Sequence, residues 1–253
     1  VSARGSAPGP NTPGPDRPDL DAPGPGTPDL PALVARASAL ADSAGAGPGR
    51  ALLGIAGAPG AGKSTLAAAL ADALGDRAVV VGMDGFHLAG AELRRLGRAD
   101  RKGAPDTFDG HGFVVLLERL ARRGAATVHA PVFDRVLDEA LAGAIAVPPE
   151  VPLVIVDGSY LLLEADPWSR VRPLLTEAWF VRLPRGERER RLIARHEHFG
   201  APAARARAHA LGSDAANAEL VAPTASRADL VVRPCGSPGP GGAGPSTWVR
   251  SSA

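Results

Sequence analysis

The sequence of 253 residues predicts an α/β protein, a three-layer sandwich whose mostly parallel sheet carries helices on both faces. Three observations carry that expectation. Between residues 51 and 233, short apolar runs alternate with stretches of helical periodicity, the pattern of strands joined by crossover helices. The first of these runs feeds a glycine-rich turn that opens a helix. The most apolar run, Pro152 to Val156, ends on an acidic residue, Asp157.

The glycine-rich turn reads Gly57-Ala58-Pro59-Gly60-Ala61-Gly62-Lys63-Ser64-Thr65 and meets the pattern G-x-x-x-x-G-K-[ST] at each fixed position. Ahead of it Ala51 to Ala56 reads as a buried strand. Behind it Leu66 to Leu74 consists of strong helix formers and stops at Gly75. Glycines let successive backbone N–H groups turn inward around a triphosphate without a Cβ clash. The helix that follows adds its unpaired N–H groups and the positive end of its dipole. Gly57, Ala58, Gly60, Ala61, Gly62, Lys63, Ser64 and Thr65 are therefore the expected nucleotide-binding set of a P-loop NTPase fold. Lys63 would reach the β/γ-phosphates of ATP, and Ser64 would ligate Mg²⁺. A chance glycine turn is the alternative. Lysine scarcity weighs against it, since Lys63 and Lys102 are the only two in the chain.

Composition bounds the rest. Residues 1–28 and 236–253 are dominated by Pro, Gly, Ser, Ala and Asp without apolar periodicity, and are expected to be disordered tails flanking one domain over 29–235. The net charge of +1 gives no electrostatic footprint for nucleic acid or membrane. No run approaches the ~18 apolar residues a membrane span needs. Cys235 is the single cysteine, so no intrachain disulfide framework exists and a reducing cytoplasm is the expected location. The expected partner is a small acceptor molecule; self-association as a homodimer is left open.

In chain order, Leu30, Leu33, Val34, Ala37 and Leu40 mark an amphipathic helix from Pro28 to about Ala44. Arg77 to Met83 is a second buried strand, and at its carboxyl end, where open α/β sheets bind ligands, stands Asp84-Gly85-Phe86-His87. The polar connection from Leu93 to Asp109 is too long for a plain crossover and is expected to hold functional loop. Phe113 to Arg122 is a helix. Thr127 to Val136 is extended, an edge piece because of Pro131. Asp157 closes its strand where the second half of a phosphate-loop site holds Mg²⁺. Leu161 to about Leu175 is expected to be helical with interruptions at Pro167 and Pro173, and Glu177 to Leu183 is a strand. Glu187 to Phe199 is a helix with Arg188, Arg191 and Arg195 on one face. That stripe reads either as a solvated face or as a lid laying arginines over a transferring phosphoryl group. Ala228 to Arg233 is the final strand.

Taken together, the phosphate loop, Met83-Asp84-Gly85-Phe86-His87, Arg101 to Asp109, Pro131-Val132-Phe133-Asp134, Asp157-Gly158-Ser159-Tyr160 and Pro223 to Val232 resemble the phosphoribulokinase / uridine kinase / bacterial pantothenate kinase superfamily. Within it the chain is most similar to nucleoside/nucleotide kinase-like members of unsettled substrate. The resemblance implies an ATP- and Mg²⁺-dependent transfer of a phosphoryl group to a hydroxyl of a small metabolite: a nucleoside, a pantothenate-like acceptor or a sugar. It gives Asp84 the role of catalytic base, which a carboxylate at the binding edge can fill on physical grounds too. It gives Asp157 a metal role with a side chain shorter than the glutamate of many relatives. Arg191 and Arg195 match lid arginines, in a lid expected around 185–212. His87 is either a packed histidine or an acceptor contact. Lys102 with Arg101 either holds a substrate anion or is solvated. Asn217 is either a helix cap or, as the resemblance implies, a contact to nucleotide or substrate.

Departures bear on the acceptor. Gly103 stands where uridine kinases carry an aspartate for the ribose hydroxyls, and Phe133 replaces a tyrosine. Asp138-Glu139 lies where a base-reading histidine is expected, and the histidine of pantothenate kinases near Ala130 is missing. The rival reading is a P-loop ATPase or GTPase switch or chaperone acting on a protein partner. Neither lysine is placed for a guanine-reading Asn-Lys-x-Asp segment. His196 and His198, two apart, point to different helix faces and make a poor metal pair.

Overall fold

The computed structural model describes residues 28–47 and 49–234; the expected tails and Cys235 lie outside the described residues. Five parallel strands form the central sheet: β1 (Ala51–Ala56), β2 (Ala78–Gly82), β5 (Leu153–Asp157), β6 (Glu177–Val181) and β7 (Leu230–Val232), in the order β2-β5-β1-β6-β7. Alternation along each strand builds two cores. Leu53, Ile55, Ile155 and Trp179 face α1 (Leu30–Gly45) and α2 (Lys63–Leu74), where they meet Leu33, Ala37, Leu66 and Leu70. Leu52, Val154, Val156 and Phe180 face the other way, onto Phe113, Leu117 and Leu120 of α4 (Gly110–Ala121). The three-layer sandwich is therefore present, with both sheet faces covered.

Local chemistry sets the helix starts. The Asp29 side chain accepts from the Ala32 N–H at 2.9 Å, and Asp109 accepts from the Gly112 N–H at 2.8 Å, both as N-caps. The connection from Leu93 to Asp109 carries the end of α3 (Gly90–Arg95) and two 3₁₀ turns.

Two segments differ from expectation. Leu161 to Leu175 forms no α-helix; it makes turns and two short 3₁₀ pieces, Trp168–Arg170 and Arg172–Leu174. Each proline removes an N–H and blocks the carbonyl a turn earlier, leaving stretches too short to sustain an α-helix. The second difference is an antiparallel ribbon outside the main sheet, β3 (Val128–Asp134) with β4 (Glu139–Val147). Pro131 sits where the register shifts between Ala130 and Val132, a bulge that spares it from donating to the ladder. Beyond β6, three helices close one end of the molecule: α5 (Arg185–His198), α6 (Ala203–Leu211) and α7 (Ser213–Val221).

Candidate active site

Register places the site. Asp157 ends β5 opposite Ile55 of β1 on one side and Gly82 of β2 on the other. The loop after β1 and the turn after β2 therefore flank the Asp157 carboxylate at the carboxyl edge of the sheet. A cavity of about 690 Å³ opens there, within the range of small-molecule sites.

At one end is the phosphate loop. Gly57 has φ 147°, and a Cβ on it would stand 2.5 Å from the Val181 carbonyl oxygen. Gly60 has φ 77°, and a Cβ there would stand 2.8 Å from the Leu192 side chain. Only glycine lets the loop run this close to β6 and α5. Ala58 and Ala61 are buried beneath it, and Thr65 is exposed on the first turn of α2. Lys63 Nζ donates to the Ala58 carbonyl and to Ser159 Oγ, both at 3.1 Å. Burial, only partly offset by Asp84 and Asp157, pulls its ammonium down to about 8.

Ser64 Oγ donates to Asp157 Oδ2 at 2.5 Å. Two hard oxygen donors on adjacent elements at the phosphate end suit Mg²⁺, which takes one or two protein oxygens and completes its octahedron with water and phosphate. Burial pushes the Asp157 carboxyl above its usual value, against the Ser64 hydrogen bond. A carboxylate disfavoured in this way is one that a bound cation relieves, so the residues fit the ion.

Asp84 lines the same cavity, two residues past the end of β2, and its Oδ2 lies 3.1 Å from an Arg135 guanidinium nitrogen. His87 Nδ1 lies 2.8 Å from the Asp84 carbonyl. A carbonyl only accepts, so the proton sits on Nδ1. The ring packs against Phe108 and Phe133 at 4.0 and 4.7 Å between centroids, and burial holds its pKa below the ordinary histidine value. Lys102 lies 5.0 Å over the Phe133 ring and 2.8 Å from Asp138 Oδ2, so it is a cavity wall and not a solvated surface lysine. Asn217 is interior to α7 and caps nothing; its Nδ2 donates to the Gly103 carbonyl at 3.2 Å. The Tyr160 hydroxyl donates to the same carbonyl.

The arginine stripe of α5 faces the loop. Arg188 donates to the Pro59 carbonyl at 3.4 Å. An Arg191 nitrogen is 3.7 Å from where a Gly62 Cβ would be, while its Nε donates to Glu187 at 2.8 Å. Arg195 lines the cavity, and burial lowers its pKa, with Arg135 adding to the effect. Of the expected residues, Arg101 is not brought in: its guanidinium pairs with Asp106, a carboxylate five residues on that the two 3₁₀ turns fold back beside it.

Sequence reasoning gave no role to Arg135, Tyr160 or the group His196, His209 and Asp214, all of which line the cavity. Tyr160 carried a signal, as the chain's single tyrosine in the short Asp157-Gly158-Ser159-Tyr160 run that begins with a candidate metal ligand. Arg135 carried none, because its position depends on the unrecognised hairpin.

No protein-family model matches the chain. An ATP-dependent kinase-like protein of Aspergillus versicolor is 38% identical over 125 residues, covering 47% of this chain and 73% of that one. A protein of Schizosaccharomyces pombe named as a candidate uridine kinase is 37% identical over 129 residues, and the match spans 55% of its length. A crystal structure from Silicibacter sp., named as a candidate fructose transport system kinase, superposes with a TM-score of 0.70 at 39% identity over 79% of this chain and 98% of that one. The chain belongs to the P-loop kinase superfamily of phosphoribulokinase, uridine kinase and bacterial pantothenate kinase. In this P-loop kinase no described helix is long and apolar enough to cross a membrane. Residues of the phosphate loop and Asp84 line one cavity.

Proposed function

We propose that this protein transfers the γ-phosphoryl group of ATP to a hydroxyl of a small polar metabolite, with Asp84 as the base. The observation that supports this most is the convergence of Lys63, Ser64, Asp157 and Asp84 on one cavity large enough for a nucleotide tail and a small acceptor. The loop N–H groups and Lys63 hold the phosphates. Asp84 takes the acceptor proton as the acceptor oxygen bonds to phosphorus and the bond to the β-phosphate oxygen breaks, releasing ADP. Arg195, with Arg191 beside Gly62, offsets charge on the transferring group. Mg²⁺ held by Ser64 and Asp157 would supply charge neutralisation of the phosphate oxygens. Positioning and electrostatics supply most of the rate in phosphoryl transfer, so this small set is sufficient.

His87, Lys102, Phe133, Arg135 and Asn217 form the acceptor wall. An aromatic pair with one lysine and one arginine suits a polyol or nucleoside bearing a polar or anionic substituent. The test is ATP turnover measured with and without a panel of nucleosides, pantothenate, hydroxy acids and sugars. Slow turnover alone and a sharp rise with one acceptor, giving stoichiometric phosphorylated product, is the expected result. Fast turnover indifferent to every acceptor and stimulated by a protein would sink it.

A further inference from the structure

We infer that His196, His209 and Asp214 form a site for a divalent transition-metal ion of the Zn²⁺ type, separate from the Mg²⁺ ligands. The three residues come from three helices: His196 from the last turn of α5, His209 from the last turn of α6 and Asp214 from the first turn of α7. Their ligand atoms all lie within 4.8 Å of one another. His196 Nε2 is 2.9 Å from Asp214 Oδ2, and the two imidazole centroids are 4.7 Å apart with their planes at 71°. Tetrahedral zinc with bonds of ~2.0–2.1 Å needs its ligand atoms roughly 3.3–3.4 Å apart, so small rotamer adjustments close the group on an ion.

A helix-to-helix hydrogen bond accounts for His196 and Asp214 alone. It does not account for a second imidazole turned to the same point, whose Nε2 meets Ser213 Oγ at a long 3.3 Å. Asp214 is only 8% exposed, yet all three residues border the cavity, so a fourth coordination position stays open to water. His196 would carry its proton on Nδ1 when coordinating through Nε2.

The neighbouring charges choose the metal. Arg195 and Arg205 stand close to His209 alongside His196 and Asp214. A hard cation bound by charge alone gains from one carboxylate and is opposed by two guanidiniums. Coordinate bonds from two imidazoles tip that balance for Zn²⁺ or Co²⁺, and not for Mg²⁺. Occupancy ties α5, α6 and α7 at one point and fixes the backbone beside Arg195, the arginine that lines the cavity.

The experiment titrates the full chain with Zn²⁺ in excess Mg²⁺, by competition with a colorimetric chelator, and repeats it with Co²⁺ followed by visible absorption. One equivalent should bind, and the unfolding midpoint should rise with Zn²⁺. His209→Phe keeps the ring packing and removes the donor; it and Asp214→Asn should weaken binding by more than the ~10–100-fold that an outer-shell loss costs. Cys235→Ser and Asp157→Asn should bind as the parent does. Absence of saturable binding to the parent chain overturns the proposal, as does unchanged affinity in both His209→Phe and Asp214→Asn, or loss in Cys235→Ser or Asp157→Asn.

Discussion

At the phosphate end of the cavity, nine consecutive residues, Gly57 to Thr65, set the geometry, and much of what they offer is backbone. At the proposed acceptor end the wall is made of groups from distant segments: Gly103 and Asn217, which share a hydrogen bond, are 114 residues apart. The hairpin tip, the 84–103 segment, the loop after β5 and α7 meet there through Arg135 to Asp84, Lys102 to Asp138, and Asn217 and Tyr160 to Gly103. A backbone cradle fixes a triphosphate whatever the acceptor is. An assembled wall can change its acceptor by changing one side chain at a time. This contrast predicts that damage at the two ends reads out in different kinetic quantities.

The largest effect belongs to Lys63→Ala, which should lower ATP turnover by at least ~10³-fold, since it removes a preorganised charge from the phosphates. Retained turnover would remove the phosphate loop from the mechanism. Asp84→Asn should leave nucleotide affinity near that of the parent and cut transfer by ~10²-fold or more, the usual weight of a general base. If both quantities fall together in Asp84→Asn, the two ends are not separable and the contrast fails. A backbone change at the phosphate end should act on stability: Gly57→Ala forces a Cβ against the Val181 carbonyl at 2.5 Å. About 1–3 kcal/mol or more of destabilisation is expected in denaturant unfolding, because both the strained φ and the overlap must be relieved.

The same contrast explains what the sequence disclosed. A phosphate loop is local, and its glycines and lysine report backbone geometry directly, so its members were legible by pattern. Asp84 and Asp157 were legible because strand ends at the carboxyl edge of a parallel sheet converge in space. Arg135 was hidden by β4, whose run Glu139 to Val147 is rich in alanine with a glycine inside and has mostly exposed or half-exposed side chains. Such a strand shows neither β-branched enrichment nor alternation. Arg101 and Lys102 are chemically alike as anion holders in the sequence, and only the fold turns one onto Asp106 and the other into the wall. The prolines at 167 and 173 outweighed the apolar run around them.

A subtler difference between the ends concerns protons. Burial, foremost, lowers Lys63 from 10.5 to about 8. Between those values the unfolded chain binds more protons than the folded one, so stability should rise with pH through that window, and the penalty is fully in place below it. A triphosphate favours the charged lysine. Above pH 8, ATP binding should therefore take up a proton, and apparent affinity should fall by up to ~10-fold per pH unit. Calorimetry in buffers of different ionisation enthalpy measures the uptake directly. No uptake, or the same uptake in Lys63→Arg, would assign the proton to another group.

The smallest expected effect tests the acceptor wall. The Gly103 carbonyl accepts from both the Tyr160 hydroxyl and Asn217 Nδ2. Burial raises the Tyr160 phenol above its ordinary value, so it stays a donor at any working pH. Tyr160→Phe leaves the carbonyl one partner and should cost ~0.5–1.5 kcal/mol, the net worth of one hydrogen bond. Asn217→Ala alone should cost a similar amount. The double variant strips the carbonyl of both partners, so its cost should exceed the sum of the singles. If this wall faces the acceptor, as proposed, each single should raise the acceptor KM a few-fold and leave the KM for ATP unchanged. Equal shifts in both constants would mean that Tyr160 and Asn217 hold the whole cavity together, and that the acceptor wall is not an independent unit.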